Sequence, residues 1–207
     1  LTDDLKQMER QRAVRRKSRE KNAVPVVALV GYTNTGKSTL LNRLSGADVL
    51  VKDQLFATLD AVNRKVELPG GDSFVLVDTV GFINKLPTDL VEAFRSTLEE
   101  AALADVLLIV SDASSPEYPA QRAVVEDVLN QLGANHQPRI EVLNKADIAP
   151  YEPIESLPGA IRVSGKTGQG LEALLEAIAK VLRERERAYQ VFVPFTQSGL
   201  LNELRQA

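Results

Sequence analysis

The sequence contains no cysteine and only one histidine among 207 residues. Without cysteine the chain forms no disulfide bond and offers no thiolate to a metal ion, as is common for proteins of the reducing cytosol. The one histidine, His136, lies in a polar stretch far from every motif described below, and we assign it no catalytic role. No apolar run approaches the roughly 20 residues that a membrane-spanning helix requires, so no membrane span is predicted.

Aromatic residues are also few, at 5%, but a composition of 44% hydrophobic and 26% charged residues is typical of a globular protein with a sizeable core. The net charge of −3 conceals an asymmetry, because residues 1–21 carry eight Lys or Arg against four Asp or Glu. A basic arm on an otherwise acidic chain favours a polyanionic partner for that arm.

Residues 1–22 contain neither glycine nor proline and are predicted to be helical. Two interpretations stay open for the basic side chains, namely a solvated helix end and contact with nucleic-acid phosphates. The chain opens in mid-helix at Leu1, which suggests that an N-terminal part has been removed. The basic side chains are Arg10, Arg12, Arg15, Arg16, Lys17, Arg19 and Lys21.

Residues 31–38 read G-x-x-x-x-G-K-S, between an apolar run at residues 26–30 and a helical pattern that follows. Strand, loop and helix in this order form a phosphate-binding loop, whose backbone N–H groups and helix N-terminus face the phosphates. Lys37 would reach the β- and γ-phosphates, and the Ser38 hydroxyl would ligate Mg²⁺. The predicted binding residues are Gly31, Tyr32, Thr33, Asn34, Thr35, Gly36, Lys37, Ser38 and Thr39.

Residues 63–68 and 73–77 flank a Pro-Gly-Gly turn signal and predict an antiparallel hairpin. The second strand delivers the sequence D-T-V-G at its carboxyl end. There Asp78 would hold Mg²⁺, commonly through water, and the backbone N–H of Gly81 would approach the γ-phosphate closely. The residues predicted to bind are Asp78, Thr79, Val80 and Gly81.

Two further motifs follow strands predicted at residues 140–143 and 160–163 and indicate guanine as the base. The Asp147 carboxylate can accept hydrogen bonds from guanine N1–H and its amino group, whereas adenine would leave Asp147 unpaired in a partly buried site. The Lys145 stem can lie along the base, and a backbone N–H, with Gly165 as the first candidate, can donate to guanine O6. The predicted residues are Asn144, Lys145, Ala146, Asp147, Ser164, Gly165 and Lys166.

Strands alternate with helices predicted at residues 90–102, 119–132 and 170–187, which implies right-handed crossovers between parallel strands. The predicted fold is an α/β P-loop NTPase with a mostly parallel six-stranded sheet covered by helices on both faces. The predicted domains are a basic helical linker end at residues 1–22, a GTPase domain at residues 23–187 and the start of a C-terminal extension at residues 188–207.

The phosphate loop GYTNTGKST (residues 31–39), the segment at residues 53–60 and DTVGFI (residues 78–83) closely resemble the HflX family of translational GTPases. The run LPTDLVEAFRSTLEE (residues 86–100) fits the family as well. The resemblance implies a cytoplasmic, Mg²⁺-dependent GTPase that binds the large ribosomal subunit and acts in ribosome rescue, splitting or recycling. Residues 10–21 look like the end of the family's helical linker, and we expect a monomer.

A threonine between the loop helix and the hairpin completes the Mg²⁺ shell in P-loop nucleotidases when the γ-phosphate is present, which makes that segment a switch. Thr58 is the candidate, and an ordinary turn residue is the alternative. The metal ligands predicted are therefore Ser38, Thr58 and Asp78. The switch residues predicted to bind nucleotide are Phe56, Ala57, Thr58, Leu59 and Asp60.

The catalytic residues predicted are Lys37, Thr58, Gly81 and Asn34, and none of them orients the attacking water. Phe82 stands where many GTPases place a water-orienting glutamine, so we expect slow turnover that a partner raises. Asn34 resembles a residue that binds K⁺ in some related GTPases, and simple loop capping is its alternative role. Two functions stay open, a ribosome-stimulated enzyme and a GTP-dependent binding module, while a kinase is disfavoured by residues 144–147.

Overall fold

The computed structural model describes residues 24–46, 62–79, 81–82, 101–149 and 157–185, and structural statements below concern these residues. Six strands form one sheet in the order β2-β3-β1-β4-β5-β6. The strands are β1 (Val26–Val30), β2 (Val62–Glu67), β3 (Ser73–Asp78), β4 (Val106–Asp112), β5 (Arg139–Asn144) and β6 (Ile161–Arg162). The described helices are α1 (Lys37–Ser45), α2 (Tyr118–Gln131) and α3 (Leu171–Arg185).

The predicted mostly parallel sheet is confirmed, because only β2 and β3 pair antiparallel. This pair is the predicted hairpin, and its turn contains Gly70 at φ 119° and Gly71 at φ 96°. β4 extends to Asp112, and β6, within the strand predicted at residues 160–163, is limited to two residues. Of the helix predicted at residues 90–102, only its end lies within the described residues, and residues 101–103 are helical there.

Two hydrophobic clusters cover the two faces of the sheet. Because successive side chains of a strand point to opposite faces, Val27 and Leu29 of β1 join one cluster, while Ala28 and Val30 join the other. The first cluster includes Leu40 of α1 and the apolar face of α3, and the second includes Val125 and Leu129 of α2. Burial on both faces explains why β1 and β4 are nearly continuous apolar runs.

The sheet lies within the compact unit Pro25–Leu182, and a second unit comprises Leu1–Val24 and Arg183–Ala207. In the part of the chain that the structure describes, no helix is both long enough and apolar enough to cross a bilayer. The carboxyl ends of β1, β3, β4 and β5 lie at one edge, since these strands are parallel neighbours. In open α/β sheets, ligands bind at this edge.

Gly170 shows how tightly the loop before α3 packs against β6. Its φ is 73°, and a Cβ added there would lie 2.1 Å from the carbonyl oxygen of Arg162. Gly159 has a similar φ of 81°, but a Cβ there would meet no atom within 4 Å. Both positions require a positive φ, but only at Gly170 would a side chain also clash with a neighbouring atom.

We predict that Gly159→Ala lowers the free energy of unfolding by about 1 kcal/mol, the cost of a left-handed φ for alanine. Gly170→Ala is expected to cost about 3 kcal/mol, because overpacking against the β6 carbonyl adds to the same backbone cost. Denaturant unfolding of both variants measures the difference, and equal midpoints for the two would contradict the clash.

Candidate functional site

Residues 31–38 wrap around the N-terminus of α1 at the carboxyl end of β1. Gly36 caps the helix in a left-handed conformation, with φ 85° and no side-chain cap hydrogen bond. The first turn of α1 also contains no acidic residue, so no side chain competes with an anion for the N–H groups at this end. Such an arrangement favours phosphate.

The loop is held so closely by its neighbours that two positions accept only glycine. A Cβ on Gly31 would lie 2.3 Å from the carbonyl oxygen of Val110, and one on Gly36 would lie 2.5 Å from Nδ2 of Asn144. Between them, Asn34 is exposed and has a φ of 60°. Thr33 and Thr35 are buried, and the Thr35 hydroxyl donates to the carbonyl of Tyr32 at 3.1 Å.

Lys37 places its ammonium group against the loop that it follows. Nζ donates to the carbonyl oxygens of Tyr32 at 2.8 Å and Gly31 at 3.2 Å, and the residue is 7% exposed. Burial lowers the pKa of Lys37 from 10.5 to about 8, against the opposing effect of the Asp78 carboxylate. A phosphate beside Nζ would favour the charged form and raise this pKa again.

Ser38 and Asp78 bring two oxygen ligands together. The Ser38 hydroxyl donates to Oδ2 of Asp78 at 2.6 Å, although 40 residues separate them in sequence. Asp78 lies at the end of β3, and Thr79 next to it fixes the strand end through a 2.6 Å bond from its hydroxyl to the carbonyl of Leu29. Hydroxyl and carboxylate oxygens are ligands that Mg²⁺ prefers, so these two residues fit the predicted metal site.

The described residues contain no group of three or more His, Cys, Asp or Glu side chains that could hold a metal ion by itself. Mg²⁺ in phosphate sites is usually held by one or two protein ligands together with substrate phosphates and water. The pair formed by Ser38 and Asp78 matches this mode. The predicted third ligand, Thr58, lies outside the described residues, as do Phe56, Ala57, Leu59, Asp60 and Val80.

Gly81 and Phe82 run beside the phosphate loop. Phe82 donates its N–H to the carbonyl of Gly31 at 3.0 Å and accepts the N–H of Thr33 at 2.8 Å. A Cβ on Gly81 would lie 3.0 Å from Nζ of Lys37 and 2.9 Å from Cα of Thr33. The Phe82 side chain is 1% exposed and belongs to the core cluster that contains Ala28 and Val30, so it does not face the phosphates.

Asn144 joins the phosphate loop to the segment predicted to bind the base. Its Nδ2 donates to the carbonyl of Thr35 at 2.8 Å, and its Oδ1 accepts the backbone N–H of Gly165 at 3.0 Å. The side chain is 2% exposed and also lies 3.4 Å from the carbonyl of Gly36. One amide therefore fixes three separate sequence motifs in a single pocket.

The two segments predicted to bind the base adjoin each other. Ser164 is fully buried and donates to Oδ1 of Asp147 at 2.7 Å, which orients the carboxylate. Asp147 itself is exposed. The Gly165 N–H donates to Asn144, and its contact with guanine O6 stays a prediction, while Lys166 is exposed next to it.

Asp112, which the sequence analysis did not single out, completes this end of the site. Lys145 has a φ of 63°, and its Nζ lies 2.7 Å from Oδ2 of Asp112 at the carboxyl end of β4. The available signal was the position of Asp112 itself, an acidic residue at the end of a buried strand. Its partner could not be read from spacing, since 33 positions separate the two in the sequence.

Residues 26–145 match a family model described as 50S ribosome-binding GTPase. The chain belongs to this family of GTPases. Among curated relatives, this GTPase is 48% identical to GTPase HflX of Caldanaerobacter subterraneus over all of its own length and 48% of the relative's. It is 49% identical to GTPase HflX of Akkermansia muciniphila, over 93% of its length and 46% of the relative's. The predicted resemblance to HflX is confirmed, and the chain spans about half the length of these relatives.

Solved structures of GTP-binding proteins share the fold of this GTPase. A GTP-binding protein from Sulfolobus solfataricus in complex with GDP superposes with a TM-score of 0.66 at 25% identity, over 89% of this chain and 61% of that one. Era in complex with MgGDPNP and nucleotides of 16S ribosomal RNA gives a TM-score of 0.64 at 26% identity, over 82% of this chain and 59% of that one.

We predict that GDP binding takes up about half a proton at pH 8. In the free protein, Lys37 is half deprotonated near pH 8 because its pKa is about 8, and it becomes charged again beside the phosphates. GDP affinity should therefore fall as the pH rises above 8.

Calorimetry of GDP binding in buffers of different ionisation enthalpy measures this uptake. Lys37→Arg, which keeps its charge throughout this range, serves as the matched control and should show no uptake at pH 8. Proton-neutral binding by the parent protein at pH 8 would contradict the lowered pKa of Lys37.

Proposed function

We propose that this chain binds and hydrolyses GTP with Mg²⁺ and acts on the large ribosomal subunit, in ribosome rescue, splitting or recycling. The observation that carries the proposal is the Asn144 side chain, which bonds the phosphate loop at 2.8 Å and the Gly165 N–H at 3.0 Å. A triphosphate site and a guanine site connected by one buried amide define a guanine nucleotide pocket rather than two unrelated loops.

Base selection is assigned to Asp147, oriented by the fully buried Ser164. A carboxylate pairs with the two neighbouring donors of guanine, whereas adenine presents no such pair, and the unpaired acceptor makes the wrong base costly. Because Asp147 is exposed, the cost for adenine arises from the part of the carboxylate that the bound base covers. The Lys145 stem would support the base plane.

Phosphate binding and hydrolysis are assigned to Lys37, the loop N–H groups and a magnesium ion held by Ser38, Asp78 and Thr58. Mg²⁺ held by these residues would supply positive charge to neutralise the phosphates. Lys37 would stabilise the same charge with an ammonium already held by two loop carbonyls. The Gly81 N–H would approach the γ-phosphate, since Gly81 packs against Lys37 and Thr33.

Phe82 favours a second candidate function, a GTP-dependent binding module with incidental turnover. Its side chain is buried in the core and cannot donate to or accept from the attacking water. Positioning of that water must then come from another segment or from a partner. Both candidates predict slow turnover of the free protein, and they differ in whether the ribosome accelerates it.

The ribosomal assignment is supported by the description of the matched family and by the HflX relatives. We assign residues 23–187 as the GTPase domain, residues 1–22 as the end of a basic helical linker that contacts rRNA through residues 10–21, and residues 188–207 as the start of a C-terminal extension. We further propose that the protein is a cytoplasmic monomer.

We predict that the chain pellets with purified large ribosomal subunits more strongly with a non-hydrolysable GTP analogue than with GDP. Addition of large subunits should raise the GTP hydrolysis rate about tenfold or more, which corresponds to a barrier lower by about 1.4 kcal/mol. The reason is that the bound subunit would order the switch segments, which would then position the attacking water. Small subunits and the Lys37→Ala variant are the controls. Nucleotide-dependent pelleting without acceleration would select the binding module, and neither effect would refute the ribosomal assignment.

Asn34 supports a further proposal, that the loop binds K⁺ beside the phosphates. The alternative role, loop capping, requires a hydrogen bond from the Asn34 side chain, and none is found among the described residues, where this side chain is exposed at φ 60°. A side-chain carbonyl at this point can contribute one ligand to a cation, with phosphate oxygens contributing others. A cation held there would supply positive charge in the place of an arginine finger.

We predict that hydrolysis is faster in K⁺ than in Na⁺ buffer of equal ionic strength, by about tenfold or more. Asn34→Asp keeps an oxygen ligand and should retain K⁺ stimulation, whereas Asn34→Ala should lose it while still binding GDP. Identical rates of the parent protein in the two buffers would end the K⁺ proposal without affecting the assignment of the nucleotide.

A further inference from the structure

Asp112 is held by more hydrogen bonds than a solvent-facing carboxylate usually has. Its Oδ1 accepts both the backbone N–H of Ser114 at 2.9 Å and the Ser114 hydroxyl at 2.6 Å. Its Oδ2 lies 2.7 Å from Nζ of Lys145, and the Asp112 side chain is only 14% exposed. Both oxygens are therefore committed, and the carboxylate has a single orientation.

Lys145 reaches this carboxylate from a backbone conformation that non-glycine residues rarely adopt. Its φ is 63°, and the turn is fixed on both sides, because Ala146 donates to the carbonyl of Val163 at 3.0 Å and Ile148 donates to that of Lys145 at 3.1 Å. The turn sends Lys145 towards β4 while Asn144 points to the phosphate loop. A left-handed backbone kept in this way is typical of functional sites.

We propose that Asp112 is a positioning residue for guanine binding, which anchors the ammonium of Lys145 so that the apolar stem forms a preformed wall for the base. This inference rests on the proposed function, since it assumes that guanine lies between residues 144–147 and the segment at residues 164–166. Anchoring the ammonium removes rotamer freedom from the lysine before the nucleotide arrives. Because the side chain is already ordered, nucleotide binding loses less conformational entropy and is tighter.

The ion pair adds little to the pairing of β4 with β5, which is already secured by backbone bonds. The two strands pair in register from Leu107 to Asp112, and Ala113 donates to the carbonyl of Asn144 at 2.8 Å beyond the last pair. What the pair does change is the position of one long, flexible side chain at the site of the base.

We predict that Asp112→Ala weakens GDP binding about tenfold, mainly through faster dissociation, because a preorganised wall retains bound ligand. Ser114→Ala should weaken binding in the same direction and by less, since the carboxylate keeps the Ser114 N–H and Lys145. Asp127→Ala removes an equal charge from an exposed position on α2 and should leave binding unchanged. Titration calorimetry and the dissociation rate of GDP measure these effects.

A double-mutant cycle with Lys145→Met, which keeps an apolar stem without the ammonium, separates positioning from a general structural role. If Asp112 acts through Lys145, Asp112→Ala costs nothing further in the Lys145→Met background. Thermal unfolding confirms that each variant is folded, and Asp112→Asn, which preserves the bonds from Ser114, replaces Asp112→Ala if the latter fails to fold.

Equal affinity of the parent protein and Asp112→Ala would overturn the positioning role and leave the proposed function intact. An undiminished loss in the Lys145→Met background would also overturn it, since Asp112 would then act elsewhere. Failure of the parent protein to bind GDP would overturn the proposed function, and this inference with it.

Discussion

The buried amide of Asn144 is the contact on which the site depends. It accepts from Gly165 and donates to the phosphate loop, so it makes the loop before α1 and the loop before α3 parts of one wall. The Asn144 side chain packs tightly against the phosphate loop, because a Cβ on Gly36 would lie only 2.5 Å from Nδ2. If the buried amide lost one of these partners, a polar group would be left unsatisfied at a cost in free energy. The cost favours the arrangement in which both bonds are made.

The sheet explains how one side chain can reach so far. β5 and β4 pair in parallel register up to Asp112 and Asn144, which brings the ends of two strands level beside the phosphate loop at the end of β1. The same edge receives Asp78 from β3, fixed by the bond between Thr79 and Leu29. Asp78, Asp112 and Asn144 each lie at the carboxyl end of a largely buried strand, the edge of an open α/β sheet at which ligands bind.

The sequence predicted the strands, the hairpin and the phosphate loop well because these features are local. Apolar runs bounded by glycine at residues 26–31, and the Pro-Gly-Gly turn, carry their own geometry. Contacts between distant segments could not be predicted in the same way. The bond of Ser164 to Asp147 and the pairing of Asp112 with Lys145 both follow from which strand ends are neighbours. The exposure of Asp147 could not be predicted from the sequence either.

Phe82 belongs to the hydrophobic core and also occupies the position at which a water-orienting residue would be expected. Its backbone forms a ladder with the phosphate loop through Gly31 and Thr33, and this ladder turns its side chain into the cluster that covers one face of the sheet. A residue committed to packing in this way cannot also direct water at the γ-phosphate. The core therefore gains an aromatic anchor directly behind the phosphate loop, and the free protein lacks a water-orienting group at the same position. We expect an enzyme arranged like this to depend on another segment or a partner for a fast rate, as a switch does whose hydrolysis is timed by what it binds.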